Sequence, residues 1–253
     1  MTIELGLTSD SRWGLGTHEL VEAVKGTGFT SIGIAAETVD RDSAAELHNA
    51  GLRCHELMAL VVSNNQPATL ASAERLAEKA AEVEAEWVVT VFTANIDLQA
   101  FALIERCAAI LSSVGTRMAV EFSPLGSVTS IQAGLDVVSA AGPERAGVLI
   151  DTWHFFRGES TWQDLAHIPL HRIAYVQFAD ALDPIPNDLM DETMNRRAMP
   201  GTGMFELERF ATTLLERGWE GLVSVEVLSR ELGSLSTQEF ARAAHSRTLA
   251  YWS

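Results

Sequence analysis

Short runs of apolar and often β-branched residues alternate with longer amphipathic stretches along the whole chain. A continuous apolar run is typical of a strand buried on both faces, as in a parallel sheet. The longer stretches have the apolar spacing of helices, and several end at a glycine. The pattern therefore predicts eight strand–helix alternations, which form a parallel sheet covered by helices.

Eight parallel strands are enough to close a (β/α)8 TIM barrel, and about 250 residues is the usual length of that fold. The predicted strands are residues 3–7, 31–34, 52–60, 87–92, 117–122, 147–151, 173–178 and 222–226. The predicted helices are residues 18–27, 39–50, 67–84, 97–114, 130–141, 161–166, 206–217 and 237–251.

The connections are short, and we find no proline-rich linker or sequence repeat, so we expect one TIM-barrel domain over residues 1–253. The exception is a stretch of about 25 residues between strand seven and helix seven. Loops of that length in compact domains are usually functional or disordered. We therefore predict that residues 179–203 form a lid over the site.

Composition narrows the class of protein. The chain has 253 residues, 47% of them hydrophobic, and a formal net charge of −16, which disfavours nucleic acid and anionic membranes as partners. Its two cysteines lack metal or redox spacing, and we see neither a signal peptide nor an apolar run of membrane-spanning length. We expect a cytoplasmic protein with a small-molecule substrate, and the sequence leaves a homo-oligomer open.

Four predicted strands end in a side chain that offers an oxygen ligand, namely Glu121, Asp151, Gln177 and Glu226. In a TIM barrel these side chains converge at the C-terminal mouth, where active sites of this fold lie. Three carboxylates brought together without a cation repel one another, and a bound divalent ion removes that repulsion. Two simpler interpretations stay open, because Asp151 can cap the next helix and Gln177 can be a buried amide.

An all-oxygen ligand set suits Mg²⁺ or Mn²⁺ best, with Co²⁺ or Zn²⁺ as further options. We therefore predict one divalent metal ion as the cofactor. His55, near the end of strand three, is an additional acid/base candidate, although a satisfied core histidine fits the same position.

These residues resemble the sugar phosphate isomerase/epimerase group of xylose isomerase-like TIM barrels over nearly the whole chain. The matching motifs are Val120-Glu-Phe122, Asp151-Thr-Trp-His154, Val176-Gln-Phe-Ala-Asp180, Arg197 with Pro200-Gly-Thr-Gly203, and Val225-Glu226. The resemblance implies that Glu121, Asp151, Gln177 and Glu226 bind one metal. It also implies that Glu121 and Glu226 act as acid and base, and that His154 and Arg197 bind substrate.

One position departs from the resemblance. Sugar epimerases of this group usually have histidine where this chain has Gln177, and glutamine there resembles the metal-dependent 3-dehydroshikimate dehydratases. The leading hypothesis is an isomerase or epimerase of a small sugar or keto-polyol, with or without a phosphate. The first alternative is a dehydratase of a cyclic polyhydroxy ketone.

Two further alternatives are weaker. A phosphodiesterase like the apurinic endonucleases needs several metals, more histidines and a basic DNA-binding face, which this acidic chain lacks. A non-catalytic carbohydrate-binding or partner subunit has no need of three converging carboxylates.

Overall fold

Eight parallel strands form a closed barrel in the computed structural model, which describes residues 3–184 and 188–253. The barrel strands are β1 (Glu4–Thr8), β2 (Ser31–Ala35), β3 (Arg53–Val62), β4 (Trp87–Phe92), β5 (Arg117–Glu121), β6 (Ala146–Asp151), β7 (Ile173–Phe178) and β10 (Leu222–Glu226). They follow the chain order around the barrel, and β10 closes it by pairing with β1. The predicted TIM barrel is confirmed.

Helices surround this barrel. They are α1 (Thr17–Val24), α2 (Ser43–Ala50), α3 (Gln66–Val83), α4 (Leu98–Ser112), α5 (Ile131–Ala141), α6 (Thr152–Arg157), α7 (Trp162–His167), α8 (Leu189–Asn195), α9 (Leu207–Leu215) and α10 (Thr237–Trp252). Side-chain caps explain several of their starts. Asp97 accepts from the backbone N–H of Gln99 and Ala100, and Ser236 forms a capping box with Glu239.

Two hydrophobic layers fill the molecule. The larger lies between the barrel and the helices, and the smaller, which includes Val89, Ala119, Leu149 and Tyr175, lies inside the barrel. Because successive side chains of a strand point to opposite faces, residues two positions apart share a face. The alternation that places Leu149 inside the barrel therefore places Asp151 inside it too, at the C-terminal mouth.

Strand β3 departs from this alternation at a bulge. Its pairing with β2 runs from Cys54 opposite Ile32 directly to Glu56 opposite Gly33, so His55 is an extra residue. His55 and Glu56 are adjacent, yet both are fully buried and both contact Thr8 of β1. The bulge thus places two consecutive polar side chains inside the barrel.

The stretch predicted as a lid contains more regular structure than we expected. It holds α8 and a two-stranded antiparallel sheet of β8 (Asp180–Ala181) and β9 (Arg197–Ala198), while residues 185–187 lie outside the described part of the chain. Asp180 fixes both ends of the stretch, because it accepts from the backbone N–H of Gly203 at 2.8 Å and of Phe205 at 2.9 Å. The sequence prediction also missed the short helix α6.

Gly33 tests how tightly the barrel interior is packed. A Cβ at this position would lie 2.5 Å from Glu56 Oε1 and 2.6 Å from Thr8 Oγ1. We predict that Gly33→Ala lowers the free energy of unfolding by about 1–3 kcal/mol, as overpacking of a core does. Urea denaturation measures the change. Gly134→Ala on α5 is the control, since its Cβ would come no closer than 3.4 Å to a neighbouring atom, Val148 Cγ1, and an equal loss in both variants would contradict the prediction.

Candidate functional site

A cavity of about 410 Å³ opens at the C-terminal mouth of the barrel. Five of the predicted site residues line it, namely Glu121, His154, Gln177, Arg197 and Glu226. Asp151 and His55 are not among the described residues that line it. The strands β5 and β7 reach the mouth through the same two-residue alternation, in which the interior residues Ala119 and Tyr175 precede Glu121 and Gln177.

Asp151 is both a helix cap and part of the site. Its Oδ1 accepts from the backbone N–H of His154 at 3.0 Å, which caps α6, and its Oδ2 accepts from Arg197 Nη1 at 2.6 Å. Asp151 therefore caps α6 and belongs to the site at the same time. By capping α6, Asp151 also fixes the position of His154 one turn along.

Arg197 links two of the carboxylates. Its Nη1 donates to Asp151 and, at 2.9 Å, to Glu226, while its Nε and Nη2 donate to the backbone and side-chain oxygens of Thr193. These bonds use four of the five N–H groups of the guanidinium, so the described residues leave one for a ligand. The arginine is 2% exposed.

The ionisation of the carboxylates follows from these contacts. Burial disfavours the charged form of Asp151, but Arg197 and the His154 ring and backbone N–H outweigh it and hold the pKa of Asp151 below its ordinary value. For Glu226, burial and the neighbouring carboxylates Asp151 and Glu121 raise the pKa well above its ordinary value despite Arg197. One guanidinium is thus too little positive charge for all the carboxylates of the mouth.

Two features of the donor set fit a metal ion. One ligand atom each of Glu121, Asp151 and His154 lies within 4.8 Å of the others. The Oε1 atom of Gln177 is buried and accepts no hydrogen bond from the described residues. An unpartnered buried carbonyl oxygen is costly, and a cation at the mouth would give it a partner. The structure thereby brings His154, which we had assigned to substrate, close to two predicted metal ligands.

Hydrogen bonds to Glu56, inside the barrel, set the orientation of the Gln177 side chain. Its Nε2 donates to both oxygens of Glu56, at 3.4 Å and 3.3 Å, and Glu56 also accepts from the hydroxyls of Thr8 and Tyr175. In its ionised form Glu56 accepts hydrogen bonds only, so that form holds the amide nitrogen towards the barrel interior and leaves Oε1 towards the mouth. Burial raises the pKa of Glu56 to about 7, although the Thr8 and Tyr175 hydroxyls oppose the shift.

Sequence reasoning missed Glu56 and Thr193. Strand alternation places only one of His55 and Glu56 inside the barrel, and the bulge that admits both has no sequence signal that we recognise. Thr193 lies on α8, in a stretch predicted as a loop.

His55 lies below this site. It is fully buried, its Nε2 is 3.4 Å from Thr8 Oγ1, and its ring packs edge-on against Tyr175 with centroids 5.7 Å apart. Burial lowers its pKa to about 3. Its predicted catalytic role is not supported by a contact with the cavity.

The sequence profile of the family described as xylose isomerase-like TIM barrel matches residues 21–247. The chain belongs to this family. Its curated relatives include inosose isomerase of Halalkalibacterium halodurans, 30% identical over 55% of this chain and 49% of that protein. Another is 3-dehydroshikimate dehydratase of Pseudomonas aeruginosa, 28% identical over 46% of this chain and 18% of that protein. The chain thus spans at most about half the length of these relatives.

Solved structures share the fold. The IolI protein, described with a bound zinc atom, superposes with a TM-score of 0.85 at 19% identity, covering 99% of this chain and 98% of that one. D-psicose 3-epimerase of Clostridium cellulolyticum H10, solved with D-tagatose, superposes with a TM-score of 0.78 at 14% identity and covers 99% of both chains. Separately, no helix in the described ranges is long and apolar enough to cross a membrane.

The burial of His55 predicts how the stability of the fold depends on pH. An unfolded histidine takes up a proton near pH 6.5, whereas folded His55 does so only near pH 3. Between these values the unfolded chain binds more protons, so this contribution to stability is complete above about pH 6.5 and is lost as the pH falls towards 3. We expect the His55 ring proton resonances to stay constant from pH 8 to 5 by NMR, and to titrate in urea.

A variant pair checks the same point. The difference in unfolding free energy between the wild type and His55→Gln should shrink as the pH falls below 6.5. His171→Gln, at an exposed histidine, is the control. Titration of folded His55 near its ordinary pKa would contradict the prediction and would revive its role as an acid/base group.

Proposed function

We propose that the chain is a divalent-metal-dependent isomerase or epimerase of a small sugar or keto-polyol. The observation that carries this proposal is the buried Oε1 of Gln177, which has no partner among the described residues and lies in the same cavity as the carboxylates of Glu121 and Glu226. Asp151 lies close to Glu121. The names of the curated relatives and of the solved epimerase support the same reaction class.

The proposed ligands are Glu121, Asp151, Gln177 and Glu226, which offer three carboxylates and one neutral carbonyl oxygen. Mg²⁺ and Mn²⁺ suit this set, and the zinc atom named for the IolI structure keeps Zn²⁺ and Co²⁺ open. When bound, the cation would polarise a substrate carbonyl and acidify the adjacent C–H. His154 is the alternative ligand, because its ring lies with Glu121 and Asp151.

Glu121 and Glu226 are the proposed proton carriers. They end β5 and β10, which β6 and β7 separate around the barrel, so they reach the cavity from different sides. One carboxylate can therefore remove a proton from a substrate carbon while the other, in its protonated form, donates its own proton to another face or carbon. Arg197 fixes Glu226 and Asp151 and keeps one N–H for a substrate oxygen, while His154 offers its ring to the cavity.

A dehydratase of a cyclic polyhydroxy ketone is the second candidate. Gln177 in the strand-seven position and the relationship to 3-dehydroshikimate dehydratase favour it. The same base could remove the proton in both reactions, and loss of a β-hydroxyl instead of reprotonation would give the alkene.

Metal binding is the first test. We expect about one divalent ion per chain by elemental analysis, and a loss of affinity of about 100-fold or more in Glu226→Gln or Asp151→Asn, beyond the 10–100-fold typical of outer-shell changes. Glu105→Gln, at an exposed carboxylate on α4, is the matched control. Isothermal titration calorimetry gives the affinities.

The variant His154→Gln tests in the same experiment whether His154 binds the metal ion or the substrate. Retained metal affinity places His154 on the substrate side, and a loss equal to that of Glu226→Gln makes it a ligand. A folded wild-type protein without affinity for any of the four cations would contradict the proposed function.

Proton exchange in D₂O separates the two reactions. With metal-loaded protein, NMR should show deuterium entering the α-carbon of a keto-sugar or inosose without loss of water. Conversion of 3-dehydroshikimate to an alkene or aromatic product would favour the dehydratase instead. Glu121→Gln should abolish either signal, because the carboxylate that exchanges the proton is removed.

A further inference from the structure

The wall of the cavity away from the carboxylates is apolar. Met58, Val91, Leu125, Met190 and Leu228 contribute aliphatic and thioether surface to it. The hydroxyls of Thr93, Ser123 and Thr193 are the remaining polar side-chain groups among the described lining residues, and Thr193 is already bound to Arg197. A ligand group that needs several hydrogen bonds would find few partners on this side.

Positive charge is equally scarce. Arg197 is the one basic residue besides His154 among the described residues that line the cavity, and four of its five N–H groups are bound within the protein. Its charge is shared between Asp151 and Glu226. A divalent cation together with Arg197 would balance three ionised carboxylates, so the formal charge of the mouth would be close to zero before any substrate binds.

Three other arginines could supply positive charge for a phosphate, namely Arg12, Arg157 and Arg196. In the structure each is turned to a protein partner and none lines the cavity. The pairs are Arg12 with Asp10, Arg157 with Glu192, and Arg196 with the backbone oxygen of Asp183. An anionic group in the cavity would therefore lose its hydration without gaining a cation beyond Arg197 and the metal ion, whose charges the carboxylates already balance.

We infer that the substrate of this site is an uncharged hydroxy-ketone, whose oxygens face Glu121, Gln177 and Glu226 and whose carbon skeleton faces the methionine and aliphatic wall. Phosphorylated and carboxylated analogues are rejected, because burying an unpaired charge costs more than burying a neutral group of similar size.

This inference rests on the proposed function and narrows it. 3-Dehydroshikimate carries a carboxylate, so the charge of the cavity favours the isomerase over the dehydratase of that acid. It also removes the phosphate that the sequence left open.

Matched pairs of probes test the inference by binding, without turnover. Mn²⁺-loaded protein broadens the NMR lines of a ligand that reaches the metal. The pairs are D-fructose with D-fructose 6-phosphate, and the methyl ester of 3-dehydroshikimate with the free acid. We expect the neutral member of each pair to bind at least about tenfold more tightly, which corresponds to about 1.4 kcal/mol. Equal or tighter binding of the anions, or broadening of none of the probes, would overturn the inference.

Introduced charge provides the converse test. Met194→Lys places an ammonium in the cavity wall on a side chain of similar length, and should reduce or reverse the preference for neutral probes. Met190→Lys, at a lining residue that is 57% exposed, serves if the first variant does not fold. Leu98→Lys, 86% exposed and outside the cavity, is the control and should leave the preference unchanged. An unchanged preference in both cavity variants would count against the inference.

Different results would contradict the proposed isomerase function and the inferred preference for uncharged substrates. Selective binding of neutral probes without deuterium exchange in any of them would contradict the isomerase while preserving the inferred charge selectivity. Exchange confined to phosphorylated or carboxylated probes would preserve the reaction class and overturn the inference.

Discussion

Repulsion between carboxylates that the closed sheet forces together is the constraint on which the mouth of this barrel depends. Glu121, Asp151 and Glu226 end three strands of one closed sheet, and the two-residue alternation gives them no other face to occupy. Arg197 neutralises part of this charge from β9, outside the barrel strands. The helix α8 and the strand β9 thus complete the electrostatics of the site as well as lining its cavity.

A group of polar side chains inside the barrel orients the Gln177 amide at the mouth. Glu56, Thr8 and Tyr175 form a buried hydrogen-bonded group, and Gln177 connects it to the cavity. A glutamine amide is ambiguous as a ligand, since it can present either a donor or an acceptor. Contact with a carboxylate resolves that ambiguity and presents the oxygen, in the way that outer hydrogen bonds orient metal ligands in general.

The barrel and the four strand ends could be predicted because both follow from local periodicity. An apolar run that stops at Glu121 or Asp151 marks the end of a strand, and parallel strands in one barrel bring their ends together. The β3 bulge could not be predicted, since it inserts a residue without changing composition. The role expected of His55 assumed a regular strand that reached the mouth, whereas its contacts with Thr8 and Tyr175 lie within the barrel.

The structure between β7 and α9 could not be predicted from the sequence for a different reason. Their composition is typical of a loop, and α8 is short, so intrinsic helix propensity contributes little to its formation. Side-chain contacts hold it instead, namely the long-range pair of Glu192 with Arg157 and the local bonds of Arg197 to Thr193. Neither kind of contact is revealed by periodicity.

The ligand positions and the walls of the cavity carry different information about function. A cation and two carboxylates can support either isomerisation or dehydration, because both begin with removal of a proton beside a polarised carbonyl. The outcome depends on what leaves after that step, and the groups that hold or exclude a leaving hydroxyl or an anionic substituent belong to the walls. In this chain those walls come from Met58 on β3, Val91 on β4 and the methionines of α8. In the proposed reaction, selectivity would therefore depend on the walls rather than on the ligand positions, which is how one arrangement of ligands can serve several substrates.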